Sequence, residues 1–125
     1  MKKLVLLSSL LLVTFTAKAD LVEDGQKLCA KIKSCAAVQL NTQAGMSQEE
    51  KDAVLGIFDT QCLASVRKYE SHLGSAGLEG KAHNCLVSLT EQNCDTLLGG
   101  TGPVTTPVCT DFEKSAIEAG ISLGQ

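Results

Sequence analysis

Aromatic side chains are scarce in this sequence. Tryptophan is absent, and phenylalanine and tyrosine together number only four. Aromatic residues normally bring the largest single areas into a protein core, so a core in this chain has to be built from Leu, Val, Ile and Ala. A domain of about 100 residues with such a core has little surplus stability. We therefore expect covalent cross-links to supplement it.

Motifs for catalysis and cofactor binding are also absent. The sequence contains no Gly-x-Ser-x-Gly elbow, no glycine-rich phosphate loop and no His-Glu-x-x-His zinc motif. It also lacks closely spaced cysteine pairs, which zinc knuckles, thioredoxin-like centres and haem attachment sites use. We expect no metal, no cofactor and no enzymatic activity. A small hydrolase or redox enzyme is the weakest of the alternatives.

Positive charge is in short supply beyond residue 19. Residues 1–19 carry three lysines and no acidic residue, which leaves eight basic and fourteen acidic residues in 20–125, a net charge of −6. A chain of this charge repels phosphate backbones and anionic lipid head groups. We therefore do not expect nucleic acid or membrane surfaces as partners.

The first nineteen residues have the three parts of a cleavable secretory signal peptide. Lys2 and Lys3 form a positive start, residues 4–15 form an apolar stretch, and Ala17 and Ala19 give the small-x-small pattern before the cut. The apolar stretch is too short to span a bilayer, which takes about 20 residues. We expect export to the periplasm, or otherwise out of the cell. Residues 20–125 are then one disulfide-rich helical domain without a membrane anchor.

The periodicity of apolar residues predicts a long helical hairpin. Apolar residues recur at helical spacing over residues 21–40, at Leu21, Leu28, Ile32 and Cys35. Ser47 and Glu50 have the spacing of a capping box, which predicts a second helix that ends near His72. The apolar stripe of this second helix consists of Val54, Phe58, Cys62, Val66 and Tyr69. The short connection between the two helices predicts that they run antiparallel.

Shorter helical segments follow the hairpin. The pattern predicts helical turns over residues 82–92 and 94–98, and a last helix that is capped by Thr110 with Glu113 and stops at Gly120. Residues 101–108 contain two prolines and three threonines and are predicted to be an extended loop. No stretch of alternating apolar and polar residues is longer than four residues, so no strand is predicted. The expected fold is a small, disulfide-stapled all-α domain, with the hairpin and two or three short helices.

An even number of cysteines in a short exported chain indicates a disulfide framework. The six are Cys29, Cys35, Cys62, Cys85, Cys94 and Cys109. Two of them, Cys29 and Cys35, are about 9 Å apart along one helix, whereas bridged Cα atoms lie within about 7 Å. In an antiparallel hairpin Cys29 is level with Cys62, so this bridge is preferred. Cys35 with Cys85 and Cys94 with Cys109 are the preferred remaining pairs, and other pairings stay open.

The loop before the last cysteine is the most distinctive candidate for a partner contact. It consists of Thr101, Gly102, Pro103, Val104, Thr105, Thr106 and Pro107. Prolines stiffen it, so it loses little entropy on binding. The alternative interpretation is a plain connector between helices.

Two classes of function remain for a chain without catalytic motifs. The first is non-catalytic binding of another protein, as an inhibitor, immunity factor, chaperone or accessory subunit, and this is the function that we expect. The second is a carrier that holds a small apolar ligand between its helices. The only histidines, His72 and His83, are expected on the surface, with copper or zinc capture as the alternative.

Overall fold

A computed structural model describes residues 20–123, and this part of the chain is all-α, as predicted. Its five helices are α1 (Leu21–Thr42), α2 (Gln48–Ser75), α3 (Glu79–Thr90), α4 (Cys94–Leu98) and α5 (Pro107–Glu118). Within residues 20–123 there is no β-strand. The predicted signal peptide, residues 1–19, lies outside the described residues.

Local capping signals fix the starts of the two long helices. Asp20 caps α1, and its carboxylate accepts hydrogen bonds from the backbone N–H groups of Val22 and Glu23 at 3.1 and 3.2 Å. The predicted capping box is present at α2, where the N–H of Ser47 donates to Glu50 at 2.7 Å and the N–H of Glu50 donates to the Ser47 hydroxyl at 3.2 Å. The bond from the Ser47 N–H lowers the pKa of the Glu50 carboxyl.

The helices α1 and α2 form the expected hairpin, and they approach closely at a glycine. Gly25 is buried in α1, and a Cβ atom at this position would lie 2.4 and 2.5 Å from the two methyl carbons of Val66 in α2. No side chain fits that space unless the helices move apart. Farther along the hairpin, an ion pair between Lys33 and Asp59 joins the two helices.

Alanine at Gly25 should destabilise the protein, although alanine favours helix. Overpacking typically costs about 1 to 3 kcal/mol and helix propensity returns about 1 kcal/mol, so we expect a net loss of up to about 2 kcal/mol in urea unfolding followed by circular dichroism. Gly56 in α2 is the matched control, because a Cβ atom added there would meet no other atom within 4 Å. Gly56→Ala should stabilise the protein, and an equal gain from Gly25→Ala would contradict the close packing.

The shorter helices pack around the open side of α1. Helix α3 contacts both α1 and α5, and the five-residue helix α4 contacts α1. The main buried cluster lies where α1, α3 and α5 meet the end of α2, and its members include Leu21, Leu73, Ala82, Phe112 and Ala116. Phe112 is the one buried aromatic side chain of this cluster, and the other buried members are aliphatic residues or cysteines.

Three disulfides join the helices, and one of the three predicted pairs is present. The bridges are Cys29–Cys62, Cys35–Cys94 and Cys85–Cys109. The first, between α1 and α2, is the preferred hairpin bridge.

The predicted bridges Cys35–Cys85 and Cys94–Cys109 were wrong. Because α4 packs on α1, Cys94 faces Cys35, with their Cα atoms 5.2 Å apart. Because α3 packs on α5, Cys85 faces Cys109, with their Cα atoms 4.5 Å apart. The loop between α4 and α5 is thus held at its two ends by bridges to different helices.

The last helix begins earlier than predicted. Thr106, and not Thr110, is the N-cap of α5, and its hydroxyl accepts a hydrogen bond from the N–H of Cys109 at 3.1 Å. Pro107 follows as the first helical residue, where its missing N–H costs nothing and its fixed φ suits the helix. The predicted stop at Gly120 is confirmed, since this residue has a φ of +76° beyond the end of α5.

Candidate functional site

An apolar groove lies between α2 and the pair formed by α3 and α5. Its cavity volume is about 300 Å³. The apolar residues along it include Val66, Tyr69 and Leu73 of α2, Leu86 and Leu89 of α3, and Phe112 of α5. The Cys85–Cys109 disulfide also lines the groove, and both of these cysteines are buried, as is Phe112. These buried residues form its floor.

The groove is open because α2 is long and poorly covered. Helix α2 has 28 residues, and Leu73 is the only residue in it that is buried. At 1.5 Å per residue α2 is about 42 Å long, whereas α3 and α5, with 12 residues each, are about 18 Å long. Helix α1 packs along α2 in the hairpin, but α3 and α5, which form the other wall of the groove, are too short to cover the rest of the apolar side of α2.

The exposed half of α2 carries the other end of its predicted apolar stripe. Val54 is 37% exposed, Ile57 is 58% exposed and Phe58 is 40% exposed. At 100° per residue, Val54 and Phe58 lie on the same side of α2 as Cys62 and Tyr69, which line the groove. We call the two exposed residues on that side, Val54 and Phe58, the α2 strip, whereas Ile57 lies about 120° around the helix from Tyr69. The groove and the α2 strip form one apolar surface along the helix.

The chain beyond α5 closes one side of the groove. The hydroxyl of Tyr69 donates a hydrogen bond to the backbone carbonyl of Leu123 at 2.8 Å. Leu123 lines the groove and packs, together with Ile121, against the main buried cluster. Tyr69 thus satisfies its polar end internally and presents its ring to the groove.

The predicted partner loop contributes one side chain to the groove. Val104 is half-buried and lines it, whereas Thr101, Gly102, Pro103 and Thr105 are exposed and do not. Thr106 and Pro107 belong to the start of α5. The loop is therefore a part of the groove wall through Val104, and its last two residues have a structural role that the sequence interpretation did not give them.

A pair of hydroxyl groups fixes the loop where it enters α5. Thr106 is buried, and its hydroxyl lies 2.7 Å from the hydroxyl of Ser88 in α3. Ser88 also donates to the carbonyl of Cys85 at 2.7 Å. This network ties the loop to α3 beside the Cys85–Cys109 disulfide. It thereby holds Val104, which precedes Thr106 by two residues, at the edge of the groove.

The charged residues along the groove are all acidic. Glu70 of α2 and Glu113 of α5 line it and are exposed, and no basic residue of the described chain lines it. In residues 20–123 neither carboxylate takes part in an ion pair within 4.0 Å. The ion pairs that do form, such as Lys81 with Asp111 at 3.0 Å, lie outside the groove lining.

The two histidines differ from each other. His72 is exposed, as predicted, but His83 is half-buried and its Nδ1 lies 2.5 Å from Oδ2 of the buried Asp24. This contact joins α3 to α1, and neither residue lines the groove. The sequence held a signal for it, because Asp24 falls between Leu21 and Leu28 on the apolar face of α1. A carboxylate there needs a buried partner.

Other features of the described residues do not form a comparable site. A second depression between α1 and α2, of about 500 Å³, is more open and contains the Lys33–Asp59 ion pair. Among residues 20–123, no cluster of three His, Cys, Asp or Glu side chains could hold a metal ion. In the same part of the chain, no helix combines the length and apolar character needed to cross a membrane.

Comparisons with known proteins give no match. No family model, no curated protein and no solved structure is significantly similar to this chain.

Proposed function

We propose that the protein is an exported, non-catalytic binding protein that holds an apolar segment of a partner polypeptide along α2. The observation that carries this proposal is the continuity of the groove with the α2 strip. Soluble proteins rarely leave such contiguous apolar surface uncovered unless it binds a partner. The two exposed apolar side chains of the α2 strip, which continue the stripe that lines the groove, are therefore best explained by a partner that covers the groove and the α2 strip together.

The length of this surface favours a polypeptide over a small molecule. Leu73 lies 19 positions after Val54 in α2, which corresponds to about 28 Å at 1.5 Å per residue. A small molecule that fills the 300 Å³ groove would leave the α2 strip in water. An apolar segment of a protein can cover the whole length.

Export rests on the cysteines and on the N-terminal pattern. All three bridges join different helices of the described chain, and such frameworks are typical of oxidising compartments. Together with the signal-like residues 1–19, they support a location in the periplasm, or otherwise outside the cell.

A carrier of a small apolar ligand is the second candidate. It is favoured by the volume of the groove, since pockets of about 300 Å³ are at the lower end of those that hold small molecules. The lining offers mostly apolar contacts, with the carboxylates of Glu70 and Glu113 at its edge.

Two neighbouring loop substitutions test the proposal. Val104→Asp places a charge in the groove wall, whereas Thr105→Asp places the same charge on an exposed residue outside it. Tagged versions of the exported protein are used to capture partners from an envelope extract of the producing cells. Burial of an unpaired charge costs several kcal/mol, so Val104→Asp should lower the recovery of a genuine partner by about tenfold or more. Thr105→Asp should leave it unchanged.

The measurement separates the two candidates. A polypeptide recovered with the wild type and Thr105→Asp, but lost with Val104→Asp, supports protein binding. Native mass spectrometry of the same preparations detects a bound small molecule directly. A small molecule that is lost only in Val104→Asp would replace the proposal by the carrier function, and equal recovery of every polypeptide by all three proteins would contradict it.

A further inference from the structure

We infer that the segment bound along α2 is an amphipathic helix with basic residues beside its apolar face. This inference rests on the proposed function and adds the conformation and charge of the partner. Its basis is the juxtaposition of a long apolar surface along α2 with two unpaired carboxylates at the edge of that surface.

The shape of the surface fits a helix. The apolar surface follows α2 for about 28 Å, which is the length of a helix of about 19 residues. An amphipathic helix buries a stripe of residues at i, i+3, i+4 and i+7 against such a groove. An extended chain of that length needs pairing for its backbone N–H and C=O groups. The walls of this groove are helices, whose backbone N–H and C=O groups are already paired within each helix. A bound helix needs no backbone partners from the groove, so it fits these walls better than an extended chain.

The charge at the edge of the groove selects the partner further. Glu70 and Glu113 lie on two different helices, and both line the groove while remaining exposed. Lys68 places its Nζ 5.8 Å from the centre of the Tyr69 ring, but Lys68 does not line the groove. The stem of a lysine or arginine can lie on apolar surface while its charged end reaches such a carboxylate. A helix with acidic flanks would instead meet like charge from Glu70 and Glu113 and from the net charge of the chain.

A pair of synthetic peptides tests this inference. The first is an 18-residue helix with leucine on one face, lysine on the other and one tryptophan; the second has glutamate in place of lysine. Because the protein has no tryptophan, the fluorescence anisotropy of the peptide reports binding without background. We expect the lysine peptide to bind the wild-type protein and the glutamate peptide not to bind.

Two double variants separate the groove from net charge. Glu70→Gln with Glu113→Gln removes both carboxylates from the groove, and should weaken binding of the lysine peptide by about tenfold. Glu49→Gln with Glu118→Gln removes the same charge from residues outside the groove lining, and should change the affinity by less than about twofold.

Each result of the peptide assay decides the inference. Equal weakening by both double variants would show that the peptide follows net charge, and would overturn it. So would equal binding of both peptides, or binding of neither. The proposed function is judged separately by the Val104→Asp capture experiment, so it survives if a partner is lost there while the peptides show no preference for lysine.

Discussion

Full reduction of the three disulfides should remove most of the helical circular dichroism of the protein at 37 °C. The reason lies in the composition of the core. Of the hydrophobic residues that are buried within 20–123, four are half-cystines: Cys29, Cys35, Cys85 and Cys109. The bridges therefore supply a large part of the buried contacts as well as the cross-links.

The loops that the bridges close make the expected loss large. The bridged cysteines are 24, 33 and 59 residues apart in sequence. In the chain-entropy model, a loop of this size stabilises a fold by about 3 to 4 kcal/mol. The complete stability of a typical domain is about 5 to 15 kcal/mol. Loss of all three bridges is therefore comparable with the whole free energy of unfolding.

The experiment compares reduced and oxidised dithiothreitol at equal concentration. Far-ultraviolet circular dichroism measures helicity, and thiol counting has to give six thiols per chain after reduction. Unchanged helicity with six free thiols would show that aliphatic packing alone holds the fold. Helicity that is unchanged in oxidised dithiothreitol, and lost in the reduced form, assigns the effect to the bridges.

Local sequence signals predicted the helices well where the signal and its partner are close in the chain. The capping box of Ser47 and Glu50 is present as two hydrogen bonds within three residues. The start of α5 was predicted wrongly because two threonines, Thr106 and Thr110, are both possible N-caps of this helix. Thr106 is the N-cap, while its hydroxyl is also buried against Ser88 of α3. That second contact depends on tertiary packing, which the local pattern does not contain.

The disulfide pairing was likewise predicted correctly only where local geometry decides it. The Cys29–Cys62 bridge follows from the geometry of a hairpin between neighbouring helices, and it was predicted. The other two bridges depend on which short helix packs on which long one. The pair Cys94–Cys109 was the one left once Cys35 was assigned to Cys85, but packing of α4 on α1 and of α3 on α5 directs these cysteines to other partners.

The groove illustrates the limit of periodicity. The apolar stripe of α2 was predicted, and its residues from Cys62 to Tyr69 do face the rest of the molecule. Periodicity identifies an apolar face but does not say what covers it. Only the lengths of α3 and α5, and their placement near the end of α2, show that the stripe is part groove floor and part exposed surface.

The two phenylalanines of the described chain should therefore separate stability from binding. Phe112 is 9% exposed in the main buried cluster, whereas Phe58 is 40% exposed in the α2 strip. Phe112→Ala should lower the free energy of unfolding by about 3 to 5 kcal/mol, because it leaves a cavity in a cluster whose other buried members are smaller. Phe58→Ala should lower it by less than about 1 kcal/mol. Urea unfolding measures both.

For binding, we expect Phe58 to matter more than Phe112. Phe58→Ala removes apolar area that a bound helix would cover, so its affinity for the lysine peptide should fall severalfold while its fold is kept. Phe112→Leu, which retains most of the buried volume, should keep both the fold and most of the affinity. If Phe58→Ala instead destabilised the protein as much as Phe112→Ala, the α2 strip would belong to the core. If it left the affinity unchanged, the partner would occupy the groove alone, and the length argument for a helix would no longer hold.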